Sequence, residues 1–293
     1  MKSAEAPQTL LYIAGYGRSG STLLGRVLSL NPDVLDLGEV MTAPRFVDLP
    51  YYHCSCRRKF RDCPVWGPAI ATIEPRHSDF ADRKTHLALL ETIAAATDAQ
   101  VLVDSSKTAG FHALMPFYLD RHLSFPLELV HLVRDPRAVL WSVFRSQKGG
   151  SRGSRTAIAK LGLALKVSSI WMMANLAAEL FRIWRPKQTI RVRYDEALAK
   201  GLPGKLGSLV SQAPLEGMVF TAADSNCHAI GGNLMRNQQT VRIAQDEEWR
   251  AKLPAPLAAA VVVICLPLMI RYRFLDVMRP RAEPRMPAQK HDR

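Results

Sequence analysis

The chain has 293 residues, with 39 Lys and Arg against 26 Asp and Glu, so its formal net charge is +13. A chain of this length can bury a full hydrophobic core, and a composition of 48% hydrophobic and 22% charged residues excludes a largely disordered or fibrous protein. Five cysteines are too few for a disulfide scaffold, which favours a reduced compartment.

The start of the chain lacks the pattern of a secretory signal peptide. Lys2 is followed by polar and small residues and then a proline, and not by an apolar run. We therefore expect a cytoplasmic protein.

A glycine-rich segment follows the first predicted strand. The apolar run Leu10–Ala14 predicts a strand, Gly15–Thr22 contains three glycines, and apolar residues then recur at helical spacing. Such a turn aims backbone N–H groups into one concavity, and the helix N-terminus adds positive potential. The segment therefore predicts an anion site, with an ordinary tight turn as the simpler alternative.

This turn differs from the phosphate loop of nucleoside triphosphatases. That loop has Lys before its last hydroxyl residue, whereas here Ser21 precedes Thr22 and the cation, Arg18, lies inside the turn. The turn therefore speaks against a magnesium-dependent kinase that acts on ATP, which stays an alternative.

The cysteines near residue 60 form a C-x-C-x₆-C pattern. Cys54, Cys56 and Cys63 lie close to His53, and three thiols with one imidazole can form a tetrahedral zinc site. The C-x₂-C spacing of zinc fingers is absent, so a structural or redox-sensitive loop is favoured and no metal site is predicted. The other two cysteines are predicted to be buried.

Three further strands are predicted, at 101–104, 127–133 and 189–194, with a long helix over 157–184. Strands that alternate with helices indicate an α/β fold in which helices flank a central parallel sheet.

A second candidate anion site follows the strand at 127–133. Arg134 comes directly after this strand, and Ser142 lies two turns into the helix that Pro136 begins. The forked guanidinium and the hydroxyl could reach one phosphate. A helix capped by Asp135, with only a surface ion pair, is the alternative.

Residues 253–270 carry no charge, and their number is close to the minimum for a membrane span. Pro254, Pro256 and Pro267 limit the uninterrupted helix to 257–266. A buried core helix starting near Pro256 is therefore expected, and no membrane span.

The chain reads as one domain, 1–278, followed by a basic, proline-containing and disordered tail, 279–293. Basic residues are otherwise spread along the chain, without a zinc-finger, basic-zipper or RNA-recognition signature. No nucleic-acid partner is expected. A non-catalytic protein that holds a nucleotide or polyanion stays an alternative.

Five segments, in this order, resemble the sulfotransferase family that uses 3′-phosphoadenosine-5′-phosphosulfate (PAPS). The resemblance runs from Leu10 to about Leu275 and is closest to the bacterial and carbohydrate-type branch. It implies a P-loop-like three-layer fold and metal-independent transfer of a sulfuryl group to a hydroxyl or amine of a small-molecule, lipid or carbohydrate acceptor. The segments are GYGRSGSTLL (15–24), VDSSK (103–107), LVRDPRAVLWS (132–142), RVRYDEAL (191–198), and HAIGGNLMRN (228–237) with DEEW (246–249) after it.

The resemblance also implies which residues bind the donor. One group binds the 5′-phosphosulfate, another the 3′-phosphate, one residue lies near adenine, and a late loop closes over the donor. Leu234 stands where the family pattern often has proline. The residues that would bind the 5′-phosphosulfate are Arg18, Ser19, Gly20, Ser21 and Thr22, and those that would bind the 3′-phosphate are Arg134 and Ser142. Tyr194 would lie near adenine, and Gly232, Asn233 and Arg236 belong to the late loop.

For catalysis, the resemblance implies that Glu39 is the general base, in the position that this branch fills with a carboxylate. His112 is the second choice, because cytosolic relatives use a histidine after the second motif strand. Lys107, with Arg18, would neutralise charge on the transferring group. The alternatives are a solvated loop acid at Glu39 and a surface lysine at Lys107.

Overall fold

The computed structural model describes residues 8–71, 80–106, 110–148 and 156–275. Lys107 and the tail predicted over 279–293 lie outside this part of the chain. The strands are β1 Thr9–Ala14, β2 Val34–Gly38, β3 Val101–Asp104, β4 Leu127–Val133, β5 Thr189–Arg193, β6 Val219–Thr221, β7 Cys227–Ile230 and β8 Thr240–Arg242. The helices are α1 Ser21–Leu28, α2 Ala43–Val47, α3 Trp66–Ile70, α4 Arg83–Ala96, α5 Met115–His122, α6 Pro136–Lys148, α7 Ala157–Trp184, α8 Tyr194–Lys200, α9 Gly204–Leu209, α10 Glu248–Lys252 and α11 Ala255–Arg271.

Six strands form one parallel sheet in the order β5-β4-β1-β3-β2-β7, and β6 pairs with β8 in a short antiparallel ribbon. Helices cover both faces of the sheet, so the side chains of a central strand are buried on both sides. In β1, Leu10 and Tyr12 enter one core, whereas Leu11 and Ile13 enter the other. The predicted α/β fold with a central parallel sheet is confirmed.

The strand order places a reversal of the chain beside β1. From β1 the chain moves to β2 and β3 on one side, and then crosses to β4 and β5 on the other. In open parallel sheets such a reversal opens a crevice at the carboxyl ends of the strands, where ligands bind. The segments after β1 and β4 must therefore lie side by side at this edge.

Helix α11 differs from the prediction, because it runs from Ala255 to Arg271 and continues through Pro267. One stripe of the helix, which includes Leu257, Val261 and Cys265, is buried against α6 and α7. This packing stabilises the helix despite the hydrogen bond that proline removes. Within the described residues, α7 is the one helix long and apolar enough to cross a membrane, a test that core helices also pass.

Glu179 joins three elements of the fold through its buried carboxylate. This carboxylate of α7 accepts hydrogen bonds from Arg182 at 3.1 Å, from Arg271 at 2.8 Å, and from Arg191 of β5. Burial by itself raises the pKa of Glu179, but Arg271 and Arg191 outweigh burial and hold this pKa at about 2.

We expect Glu179→Gln to lower the free energy of unfolding by about 1–3 kcal/mol at neutral pH, because three partly exposed guanidiniums lose their shared anion. The folded-state pKa lies below the usual value, so this contribution is complete above the unfolded-state pKa and is lost as pH falls towards about 2. Urea unfolding should therefore show the difference between wild type and variant shrinking from about pH 5 to about pH 3. Glu196→Gln is the control and should change stability little, because the Glu196 side chain is 49% exposed in its pair with Arg193.

Candidate active site at the carboxyl ends of β1 and β4

The turn after β1 has a backbone that only particular residues allow. Gly20 has φ 100° and lies directly before α1, and a Cβ at this position would come within 2.6 Å of the Tyr194 ring. Arg18 also has positive φ, at 68°. The turn therefore brings backbone N–H groups and the start of α1 to one concave surface, as an anion site requires.

Arg134 joins the two predicted anion sites. It directly follows β4, is 9% exposed, and its Nη1 donates a hydrogen bond of 3.1 Å to the carbonyl oxygen of Arg18. Its guanidinium stacks on the Tyr194 ring, 4.6 Å from the centroid. Burial raises the pKa of Tyr194 and nearby Arg134 partly offsets this, so the phenol stays neutral near neutral pH. The turn after β1 and the start of α6 thus form a single site.

A cavity of about 570 Å³ opens at this place, within the range of small-molecule sites. Five arginines and two carboxylates face it, so its net charge is positive and favours an anionic ligand. The lining residues are Gly17, Arg18, Gly20, Ser21, Thr22, Leu23, Glu39, Thr42, Arg45, Phe46, Tyr52, Arg134, Ser142, Arg145, Tyr194, Gly231, Gly232, Asn233, Met235, Arg236, Ala244 and Asp246.

Three of these charged residues, Arg45, Arg145 and Asp246, were not predicted from the sequence as site residues. Asp246 lies 3.6 Å from Nη2 of Arg134 and also pairs with Arg145. Arg145 stands three residues after Ser142 on α6, so helical spacing puts both on one face and could have identified it. The cavity thus has a second guanidinium beside Arg134, and the two share one carboxylate.

Glu39 lies at the rim where β2, α1 and the segment after β7 meet. Its backbone N–H donates to the carbonyl oxygen of Ile230 at 2.8 Å. A Cβ on Gly232 would lie 3.0 Å from the hydroxyl oxygen of Thr22 and 3.4 Å from a carboxylate oxygen of Glu39. The N–H of Asn233 donates to the same hydroxyl at 3.3 Å. The carboxylate, the α1 hydroxyl and the late loop therefore form one edge of the cavity.

Aromatic rings form another part of the cavity wall. Phe46 and Tyr52 are stacked with their centroids 3.7 Å apart, and the guanidinium of Arg236 lies 5.0 Å from the Tyr52 centroid. The hydroxyl of Tyr52 accepts a hydrogen bond of 2.8 Å from the Gly231 N–H. Burial raises the pKa of Tyr52, although Arg236 acts against this shift. This wall combines aromatic faces with the guanidiniums of Arg236 and Arg45.

Two of the predicted site residues are not brought to this cavity, and a third lies outside the described residues. The Ser19 side chain is buried behind the turn, and within the described residues its hydroxyl has no hydrogen-bond partner. His112 lies outside the cavity, in the turn before α5, with its ring 5.9 Å from that of Phe80. Burial lowers the pKa of His112, and the charges of His86 and Arg83 lower it further. Lys107 belongs to the part of the chain that is not described.

A comparison with protein families identifies the family to which the chain belongs. The model of the sulfotransferase family matches residues 11–203, which is more than half of the chain. The chain therefore belongs to the sulfotransferase family. This assignment supports sulfuryl transfer in general.

Solved structures with a similar fold are distant in sequence. The sulfotransferase domain of the olefin synthase of Synechococcus PCC 7002 has 18% identity and a TM-score of 0.48, covering 92% of this chain and 97% of that domain. The sulfotransferase domain of the curacin biosynthetic pathway has 19% identity and a TM-score of 0.48, with coverages of 90% and 98%. A sulfotransferase from Alicyclobacillus acidocaldarius has 12% identity and a TM-score of 0.41, with coverages of 90% and 96%. No curated protein matches the chain.

Replacing Gly20 tests the geometry of the turn. Gly20→Ala places a methyl group against the Tyr194 ring at a positive φ, so we expect a loss of about 1–3 kcal/mol in the free energy of unfolding. Gly162→Ala is the matched control, because Gly162 lies in α7 with open space around its Cβ position. It should raise stability by about 0.5–1 kcal/mol. Equal effects of the two variants in thermal unfolding would contradict the described turn.

Proposed function

We propose that this sulfotransferase uses PAPS as its donor and transfers the sulfuryl group to an acceptor hydroxyl or amine without a metal ion. The observation that carries the proposal is the contact between Arg134 and the backbone of Arg18. PAPS has anionic groups at two positions of one adenosine, the 5′-phosphosulfate and the 3′-phosphate. A single cavity with two adjoining anion sites matches that arrangement.

The residues present fit the 5′ end of such a donor. The turn after β1 has a glycine cradle in which a side chain would collide with Tyr194, and α1 points its N-terminus at the cavity. Arg18, Ser21 and Thr22 face the cavity beside that N-terminus. Their cationic and N–H donors would hold the 5′-phosphosulfate and stabilise negative charge on its oxygens during transfer.

At the 3′ end, Arg134 and Ser142 face the same cavity, and Arg145 stands next to them. A guanidinium binds phosphate through two parallel hydrogen bonds, which makes Arg134 suited to recognise a 3′-phosphate. The Tyr194 ring would lie beside the adenine, and Gly232, Asn233 and Arg236 would close the cavity from the late loop.

The proposed reaction breaks the bond between sulfur and the bridging 5′-phosphate oxygen and forms a bond between sulfur and the acceptor oxygen or nitrogen. Glu39 would accept the acceptor proton, because its carboxylate lies at the rim where the aromatic wall leaves room for an acceptor. Arginines would supply the positive charge that Mg²⁺ supplies in kinases. Arg45, Phe46 and Tyr52 would contact a small-molecule, lipid or carbohydrate acceptor.

Donor recognition can be tested with 3′-phosphoadenosine 5′-phosphate (PAP), the desulfated product. Arg134→Ala should weaken PAP binding roughly 10–100-fold in calorimetry, because a charged hydrogen-bond pair is lost. Affinity for ADP, which has no 3′-phosphate, should change much less. Arg185→Ala removes the same charge from a guanidinium that pairs with Asp120 outside the cavity, and should leave PAP binding unchanged.

Two results of these titrations would count against the proposal. An equal loss of PAP and ADP affinity in Arg134→Ala would assign Arg134 to positioning the turn and not to the 3′-phosphate. Tighter binding of ATP with Mg²⁺ than of PAP in the wild type would replace PAPS by a nucleoside triphosphate as the donor.

The general base can be tested separately from the donor site. Glu39→Gln keeps the size of the side chain but cannot accept the proton, so turnover should fall about 10²–10⁴-fold with PAP affinity nearly unchanged. His112→Gln is the matched control and should retain turnover, because His112 lies outside the cavity. Loss of turnover in His112→Gln together with full activity of Glu39→Gln would transfer the role to His112.

A further inference from the structure

Outside the cavity, four metal-binding side chains meet at one point. Cys54, Cys56, Cys63 and His228 each offer one ligand atom, and all four atoms lie within 4.8 Å of one another. From the sequence, the candidate for the fourth ligand is the adjacent His53. The structure instead supplies His228 from β7, which is distant in sequence from the cysteines.

The distances within this cluster match a tetrahedral zinc ion. Zinc binds thiolate at about 2.3 Å and imidazole at about 2.0–2.1 Å, so tetrahedral ligands stand about 3.8 Å apart for two sulfurs and about 3.6 Å apart for sulfur and nitrogen. The Cys56 and Cys63 sulfurs are 3.8 Å apart. Nδ1 of His228 is 3.2 Å from the Cys63 sulfur and 4.0 Å from the Cys54 sulfur, values that lie on either side of the expected one.

The local backbone holds the ligands in this arrangement. His53 and Lys59 form an isolated antiparallel bridge, and the carbonyl of Cys54 accepts from the Arg57 N–H at 2.8 Å, which fixes a tight turn. The backbone N–H groups of Arg58 and Trp66 donate to the sulfurs of Cys56 and Cys63. Such outer hydrogen bonds orient metal ligands.

The part of β7 that carries His228 is held in place as well. The indole nitrogen of Trp66 donates to the carbonyl oxygen of His228 at 2.6 Å, and the Ser55 N–H donates to that of Ala229 at 3.2 Å. The backbone that carries His228 is therefore held beside the cysteine turn by two hydrogen bonds.

We propose that Cys54, Cys56, Cys63 and His228 bind one structural zinc ion that joins the segment 52–66 to β7. Three thiolates and one imidazole at tetrahedral spacing favour zinc over magnesium or calcium, which prefer oxygen ligands. Four protein ligands complete the coordination, so the ion has a structural role and leaves no position for a substrate. On binding, the thiols release their protons to solvent.

The position of the zinc site connects it to the cavity. After β7 the chain continues directly into Gly231 and Gly232, and the N–H of Gly231 is bonded to the Tyr52 hydroxyl just before the cysteine turn. Arg236 donates to the carbonyl oxygen of His53 at 3.2 Å. The ion would therefore fix the aromatic wall and the late loop relative to each other.

A disulfide is the main chemical alternative. The Cys56 and Cys63 sulfurs are 3.8 Å apart, compared with about 2.05 Å in a disulfide, and all the cysteines are free. A disulfide between two of them would also remove two of the four zinc ligands, so the two states exclude each other.

The test measures metal directly, independently of catalysis. Full-length wild type, purified without chelator, should contain one zinc per chain by mass spectrometry of metals. After removal of zinc under reducing conditions, added Co²⁺ should give the intense visible absorption of a tetrahedral thiolate site. Because neither measurement involves sulfuryl transfer, the result is separate from the outcome of the donor titrations.

Variants locate the ion. His228→Ala and Cys54→Ser should lose zinc to a competing chelator at least about tenfold more readily than wild type. Cys227→Ser is the matched control, because Cys227 precedes His228 on β7 but its thiol faces Asp36, at 3.4 Å. Its zinc content should equal that of wild type.

Two results would overturn the proposal, and the first of them needs no variant. One is wild-type protein that contains no zinc and, once reduced, takes up neither Zn²⁺ nor Co²⁺. The other is zinc that is present but retained equally by wild type, His228→Ala and Cys54→Ser, which would place the ion elsewhere.

Discussion

The parallel pairing of β1 with β4 is the constraint on which the site depends. The register from Leu10 opposite Leu127 to Ala14 opposite His131 makes the two strands end at the same edge. Their following segments must therefore meet, and the hydrogen bond from Arg134 to Arg18 is the direct consequence. The two segments that the sequence predicts to bind anions, separated by more than a hundred residues, become one site because parallel strands have all their carboxyl ends on one side.

Positive charge is concentrated at the cavity, at some cost to the stability of the folded state. Five guanidiniums face one cavity, and Glu39 and Asp246 offset part of that charge. Mutual repulsion of this kind destabilises a compact state, yet it raises the local concentration of an anionic ligand. A similar excess of positive charge occurs at Glu179, where one carboxylate is shared by three arginines.

Local patterns in the sequence predicted the parts of the fold that short segments specify. The glycine-rich turn, β3, β4 and the 28-residue helix α7 lie where the sequence predicted them. Strand β2 was missed, because its five residues include Asp36, which looks like a loop residue in sequence but is 1% exposed. Burial raises the pKa of this carboxyl to about 6, and the Gly38 N–H bonds to it at 3.0 Å. A hydrogen bond that offsets the cost of burying Asp36 is visible only in the three-dimensional structure.

The sequence by itself determined the family, the glycine turn, and the identity of Arg134 and Glu39 as candidate site residues, because each lies in a short motif. Only the tertiary structure decided which of these residues share a cavity: it brought Arg145 and Asp246 to the site, left His112 outside, and replaced His53 by His228 beside the three cysteines. The physical reason is that strand order and helix packing set distances between segments far apart in the chain, and no local spacing encodes those distances.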